Sequence, residues 1–105
     1  MAKILVVDDE RSIRNSMKGV LEFEGHVVTL AEDGETGLKE AEKEQFDLVF
    51  SDIKMPKMDG IELLAKMRQL QPSTKMILIS GHGTIETAVQ CMRNGAFDFI
   101  EKPMN

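Results

Sequence analysis

The chain has little that would tie it to an oxidising compartment, a membrane or a nucleic acid. It carries one cysteine, Cys91, which excludes an intrachain disulfide and a cysteine-clustered metal site. Its longest apolar runs, such as Ile4–Val7 and Met76–Ile79, are far short of the ~20 apolar residues of a membrane span. The amino terminus runs from Met1-Ala2-Lys3 straight into the first of these and then into Asp8, too short a stretch for a signal peptide. Cationic excess is also missing: 13 Lys and Arg face 18 Asp and Glu, for a net charge of −5. With no cationic stripe to displace counterions from phosphates, direct nucleic-acid binding is disfavoured. No repeat, linker or low-complexity tract interrupts the 105 residues. The sequence therefore predicts one compact domain spanning residues 1–105, in a reduced, cytoplasmic protein.

What is present is an alternation of short apolar runs with helical periods. Strands are predicted at Lys3–Val7, His26–Ala31, Phe46–Ser51, Lys75–Ser80 and Ala96–Ile100. Ile13, Met17, Val20 and Leu21 mark a first helix stopped by Gly25. Asp33 caps a second running to about Glu44, with Leu38 and Ala41 facing inward. Asp59 and Glu62 stand at capping-box spacing before a third, whose inner side is read as Ile61, Leu64, Ala65 and Arg68. Thr84 caps a fourth, with Ile85, Ala88, Val89 and Met92 at i, i+3, i+4, i+7 and Asn94-Gly95 as its end. Five strands alternating with four helices predict an α/β fold with a parallel sheet and right-handed crossovers.

Sites in such sheets lie beyond the carboxyl ends of the strands. The chemically active residues sort to those places: Asp8-Asp9 after the first strand, Asp52 after the third, Ser80 at the end of the fourth, Lys102 after the fifth. Taken singly, each reads as a turn or cap residue; taken together they describe a site. Like charges ~5 Å apart repel by about 3 kcal/mol at an effective dielectric near 20, so three converging carboxylates call for a compensating cation. A donor set of oxygens without Cys or His selects a hard ion, Mg²⁺. Lys102 and the Ser80 hydroxyl suit a phosphoryl group, and a carboxylate beside Mg²⁺ and Lys can become an aspartyl phosphate.

Four stretches carry a family resemblance: Val6-Val7-Asp8-Asp9-Glu10, Ser51 to Gly60, Ile79-Ser80-Gly81-His82-Gly83, and Gly95 to Pro103. With them the chain resembles, over essentially its whole length, the receiver domain of bacterial two-component response regulators. The resemblance implies a flavodoxin-like doubly wound sheet of order 2-1-3-4-5. It also implies Asp52 as phosphoacceptor for a sensor histidine kinase's phosphohistidine, and Mg²⁺ held by Asp9, Asp52 and the Lys54 backbone carbonyl, with help from Asp8. Lys102 would contact the phosphoryl group, and Ser80 and Phe99 would be the switch pair. Lys54 and His82 would tune the rate of phosphoryl loss, and the peptide bond before Pro103 would be cis. Phe99 stands where the family often has Tyr, so burial of a ring without a hydroxyl must carry the switch. The face around the fourth helix and fifth strand would address an output domain or partner. The runs 81–89 and 97–103 most resemble receivers of enhancer-dependent, nitrogen-regulation-type transcription activators.

The family fold has a fifth helix after the fifth strand, and residues 104–105 are too few to build it. A sheet face left partly bare, at roughly 25 cal/mol per Å² of apolar area, predicts self-association or a truncated chain. Three other functions fit the sequence less well. A haloacid-dehalogenase-type phosphatase needs an acid two residues after its nucleophile, where this chain has Lys54. An FMN carrier of flavodoxin type needs a hydroxyl-rich phosphate loop after the first strand, where Asp8-Asp9-Glu10 would repel phosphate. A pseudo-receiver that only docks or oligomerises is disfavoured by the intact acidic set. His26 and Cys91 are read as structural residues.

Overall fold

The computed structural model describes residues 1–102; Pro103, and with it the predicted cis peptide, lies outside the described residues. The element order is β1 (Lys3–Val7), α1 (Arg11–Phe23), β2 (Val27–Ala31), α2 (Gly34–Lys43), β3 (Leu48–Asp52), α3 (Gly60–Leu70), β4 (Lys75–Ser80), α4 (Ile85–Arg93) and β5 (Asp98–Glu101). The strands form one parallel sheet in the order β2-β1-β3-β4-β5. This is the doubly wound order implied by the resemblance. No helix among the described residues is long and apolar enough to cross a membrane.

Right-handed crossovers fix which side each helix takes. The step from β1 to β2 moves one way across the sheet, and the next three steps move the other way. α1 therefore covers one face, and α2, α3 and α4 cover the opposite one. On the three-helix face Leu5, Val7, Val49, Met76 and Leu78 pack with Ala41, Leu63, Leu64, Met67 and Cys91 as one buried core. On the α1 face Ile4, Val6 and Ile79 are buried, whereas Leu48, Phe50, Ile77 and Ile100 are only partly so.

The caps form as the sequence predicts. Asp33 accepts from the Thr36 N–H at 2.7 Å, Asp59 from Glu62 at 2.8 Å and Thr84 from Thr87 at 3.1 Å. Gly25 and Gly95 take positive φ, 93° and 97°, just beyond their helices. Strand limits move slightly. β3 runs through Asp52, so the candidate nucleophile is the last strand residue, and β5 begins at Asp98. His26 precedes β2, where its Nδ1 accepts the Ala2 N–H at 3.1 Å, in keeping with a structural role.

The predicted inner faces of three helices need correction. α3 buries Gly60, Leu63, Leu64 and Met67, while Ala65 and Arg68 are exposed. Apolar residues lie on more than one side of this helix, so periodicity admits two rotations and contact with the sheet selects one. In α4 most of the predicted stripe points outward: Ile85 is 85% exposed, Val89 41% and Met92 47%, while Ala88 is half-buried and Cys91 alone is fully buried. α4 lies over the sheet's β5 edge, where a narrow strip of helix finds cover. Val20 of α1 is also exposed.

At the end of the sheet away from the strand carboxyl termini, a polar knot ties the layers. Gln71, 4% exposed, donates to the carbonyls of Ala41 and Glu44 and accepts from the Phe46 N–H and the Thr74 hydroxyl. The end of α2, the approach to β3 and the loop into β4 are thereby held together by one side chain.

Candidate functional site

Parallel strands all present their carboxyl ends at one rim, and that is where the chemistry gathers. Asp8 leaves β1 and Asp52 ends β3; the pleat places both on the α1 face. One carboxylate oxygen from each of Asp8, Asp9 and Asp52 lies within 4.8 Å of the others. Asp8 and Asp52 are buried, at 1% and 5% exposure, and Asp9 is exposed.

Local bonds hold Asp8 in place. Its Oδ1 accepts the Glu10 N–H at 2.9 Å, and its backbone carbonyl accepts from the Arg14 guanidinium at 2.7 Å. Asp52 is positioned by the ladder and by Gly60. A Cβ at Gly60 would strike the Asp52 carbonyl oxygen and come within 2.9 Å of Ile53 Cα, so only glycine lets α3 start so close to β3.

Lys102 reaches across the rim. Its Nζ lies 3.5 Å from Asp8 Oδ2, 3.5 Å from Asp52 Oδ2 and 3.8 Å from Glu10 Oε1. Its backbone N–H donates to the Ser80 carbonyl at 2.8 Å, binding the end of β5 to the end of β4. The buried Ser80 hydroxyl accepts the His82 N–H at 3.2 Å. A cleft of about 190 Å³ opens here, lined by Asp9, Glu10, Asp52, Lys54, Ser80, Gly81, His82 and Lys102. A larger groove beside α1, about 590 Å³, is lined mainly by α1 side chains and touches the site only through Glu10, Gly81 and Lys102. The smaller cleft is the one that holds the reactive groups.

The electrostatics is that of a site short of positive charge. Burial pushes the Asp8 carboxyl above its ordinary value, against the pull of the Glu10 N–H and Lys102. Burial, then the neighbouring Asp8 charge, pushes Asp52 up, and Lys102 offsets only part. Burial pulls Lys102 down, but Asp8, Asp52 and Glu10 together outweigh it and raise it. One lysine is thus shared by three carboxylates. Three converging oxygens, two of them desolvated, with no nitrogen or sulfur donor among them, fit a hard divalent cation such as Mg²⁺.

Phe99, half-buried, packs against the core from β5. Its ring edge lies where a Cβ on Gly83 would be, 2.8 Å from Cζ, so the bare backbone of the β4–α4 loop makes room for the ring. The structure thus gathers Asp8, Asp9, Asp52, Lys54, Ser80, His82 and Lys102 around one rim, with Phe99 adjacent. The sequence gives Glu10 only as part of the first motif, with no role of its own, and does not single out Arg14. Glu10 stands at the N-cap of α1 yet makes no capping bond, and a non-capping residue at a cap position was the available signal.

Comparison with known proteins bears on the family and the fold. The family profile described as the response regulator receiver domain matches residues 4–105. The chain belongs to this family. Receiver domains of response regulators are signalling modules that work with histidine kinases and output domains, and they bind Mg²⁺ at an acidic cluster. Among curated proteins, the chain is 43% identical over 104 residues to the nitrogen assimilation regulatory protein NtrX of Azorhizobium caulinodans, covering 97% of this chain and 23% of that protein. It is 38% identical over 104 residues to the transcriptional regulatory protein GlrR of Escherichia coli, covering 99% and 23%. The chain spans about a quarter of the length of these transcriptional relatives. Among solved structures, a CheY-like receiver domain protein from Methanospirillum hungatei superposes with a TM-score of 0.95 at 42% identity, covering 100% of this chain and 84% of that one. A Burkholderia pseudomallei response regulator, solved with a phosphorylated aspartic acid, calcium ion and citrate, gives 0.94 at 30% identity, covering 100% and 62%.

Proposed function

We propose that this receiver accepts a phosphoryl group onto Asp52 from a phosphohistidine of a sensor histidine kinase, in a Mg²⁺-dependent reaction. The observation that carries the reading is positional. Of the three carboxylates, Asp52 alone both lines the open cleft and contacts Lys102. Asp8 contacts Lys102 but is turned into its bond with the Glu10 N–H, and Asp9 faces the cleft without a lysine contact. Asp8, Asp9, Asp52 and the Lys54 backbone carbonyl would hold the cation. Bound there, it supplies neutralisation of the acidic cluster and of the phosphoryl oxygens.

The chain's own residues do the rest. The Asp52 carboxylate attacks phosphorus; the P–N bond to the donor histidine breaks as the P–O bond to Asp52 forms. Lys102 offers a positive charge to the phosphoryl oxygens. Ser80, at the cleft wall, donates its hydroxyl to the same oxygens and moves toward them. That shift vacates space by the β4–α4 loop, and the Phe99 ring turns inward past Gly83. The face of α4 and β5, with its exposed Ile85, Val89 and Met92, is then reshaped for an output domain, in keeping with transcription-regulating relatives. This is a two-state equilibrium biased by a local change in charge. Lys54 and His82, at the cleft mouth, govern how water reaches the phosphoryl group.

The test is phosphorylation by acetyl phosphate with and without Mg²⁺, read by intact mass for wild type and Asp52→Ala. Incorporation should need both Mg²⁺ and Asp52. A modified Asp52→Ala protein would remove Asp52 from the role. An unmodified wild type would favour a docking module.

A further inference from the structure

Lys102 and a cation at the acidic cluster need the same oxygens. Lys102 Nζ sits 3.5 Å from Oδ2 of both Asp8 and Asp52, the two buried carboxylates that would turn to the cation. Two positive centres cannot share these oxygens closely without strong repulsion, so Lys102 must give way as the cation enters, yet stay near enough to meet a phosphoryl group.

The third carboxylate on Lys102 is Glu10, at 3.8 Å and 59% exposed on its side chain. Glu10 is not among the clustered oxygens, and it lines the outer part of the cleft beside Lys102. Its place in the chain is otherwise unfavourable. It is the N-cap of α1 but makes no side-chain cap, where Ser, Thr, Asp or Asn would satisfy a free N–H of the first turn. The side chain points to Lys102 instead.

We propose that Glu10 is a positioning residue, the carboxylate onto which Lys102 shifts when a divalent cation takes Asp8 and Asp52. It keeps the lysine at the cleft mouth, facing the incoming phosphoryl group. This rests on the reading of the cluster as a Mg²⁺ site. Glu10 acts through Lys102 and touches neither cation nor phosphorus.

The experiment is a double-mutant cycle on Mg²⁺ affinity, measured by calorimetry on the full chain: wild type, Glu10→Gln, Lys102→Gln and the double variant. An exposed ion pair of this kind predicts a two- to five-fold weaker Mg²⁺ affinity in Glu10→Gln, about three-fold at the centre. In the Lys102→Gln background the Glu10 substitution should change nothing. An equal loss in both backgrounds overturns the proposal, because Glu10 would then act on the cation by its charge alone. No loss in either overturns it too. Absence of Mg²⁺ binding by wild type would instead refute the cation reading itself. A second measurement needs no Lys102 variant. With lysine labelled at Cε and Mg²⁺ saturating, NMR relaxation should show Lys102 ordered in wild type and as mobile as exposed lysines in Glu10→Gln. Equal order in both proteins refutes the shift.

Discussion

Asp52→Asn should make the metal-free protein more stable, although it removes the proposed phosphoacceptor. At 4.8 Å, the widest spacing in the cluster, like charges repel by roughly 3.5 kcal/mol at an effective dielectric near 20, which sets a lower scale for the Asp8 contribution. Asp9 is exposed and screened by water, so it adds roughly half as much. Burial of the carboxylate costs more than the Asp8 charge, and Lys102, at 3.5 Å, offsets only part of the total. The ionised Asp52 is left unfavourable by about 1–2 kcal/mol, the same sign as its raised pKa. Asparagine keeps the shape and a lone pair toward Lys102 while removing the charge. For a domain of this size the gain corresponds to roughly 5–10 °C in Tm. The chain has no Trp or Tyr, so melting is followed by far-UV circular dichroism in EDTA.

The pH dependence has a definite sign. Asp52 has a higher pKa folded than unfolded, so its penalty is fully present above the folded-state value. As pH falls through that value toward the ordinary 3.8, wild type takes up the proton and the gap to Asp52→Asn closes. Mg²⁺ should raise the wild-type Tm with concentration and raise that of Asp52→Asn less. An Asp52→Asn protein no more stable than wild type in EDTA at neutral pH, or a gap that does not narrow on acidification, would refute the electrostatic reasoning.

Two further predictions concern the scaffold. Gln71→Leu strands the Phe46 N–H and the Ala41 and Glu44 carbonyls; it should cost about 2–4 kcal/mol in urea unfolding without blocking Mg²⁺ binding by the protein that remains folded. Lys57 holds φ at 70°, where a side chain is strained, so Lys57→Gly should be about 0.5–1 kcal/mol more stable, read as a higher urea midpoint at unchanged slope.

Sequence alone settled the element types, their order, the three side-chain caps and the sorting of Asp8, Asp9, Asp52, Ser80 and Lys102 to strand ends. These are local matters: strand and helix periods, capping geometry and glycine φ depend on neighbours within a few residues. Resemblance supplied the strand order and the residue roles. Tertiary structure decided the rest. It turned α3 onto Leu63 and Met67, left Ile85, Val89 and Met92 of α4 facing outward, and set Gln71 as a buried knot. It also set one lysine among three carboxylates, Glu10 included. Periodicity says that a helix has an apolar side, but only the opposing sheet says which side is covered. A charge reads the same anywhere in a sequence, and its partners are known only once the strands that carry them lie side by side.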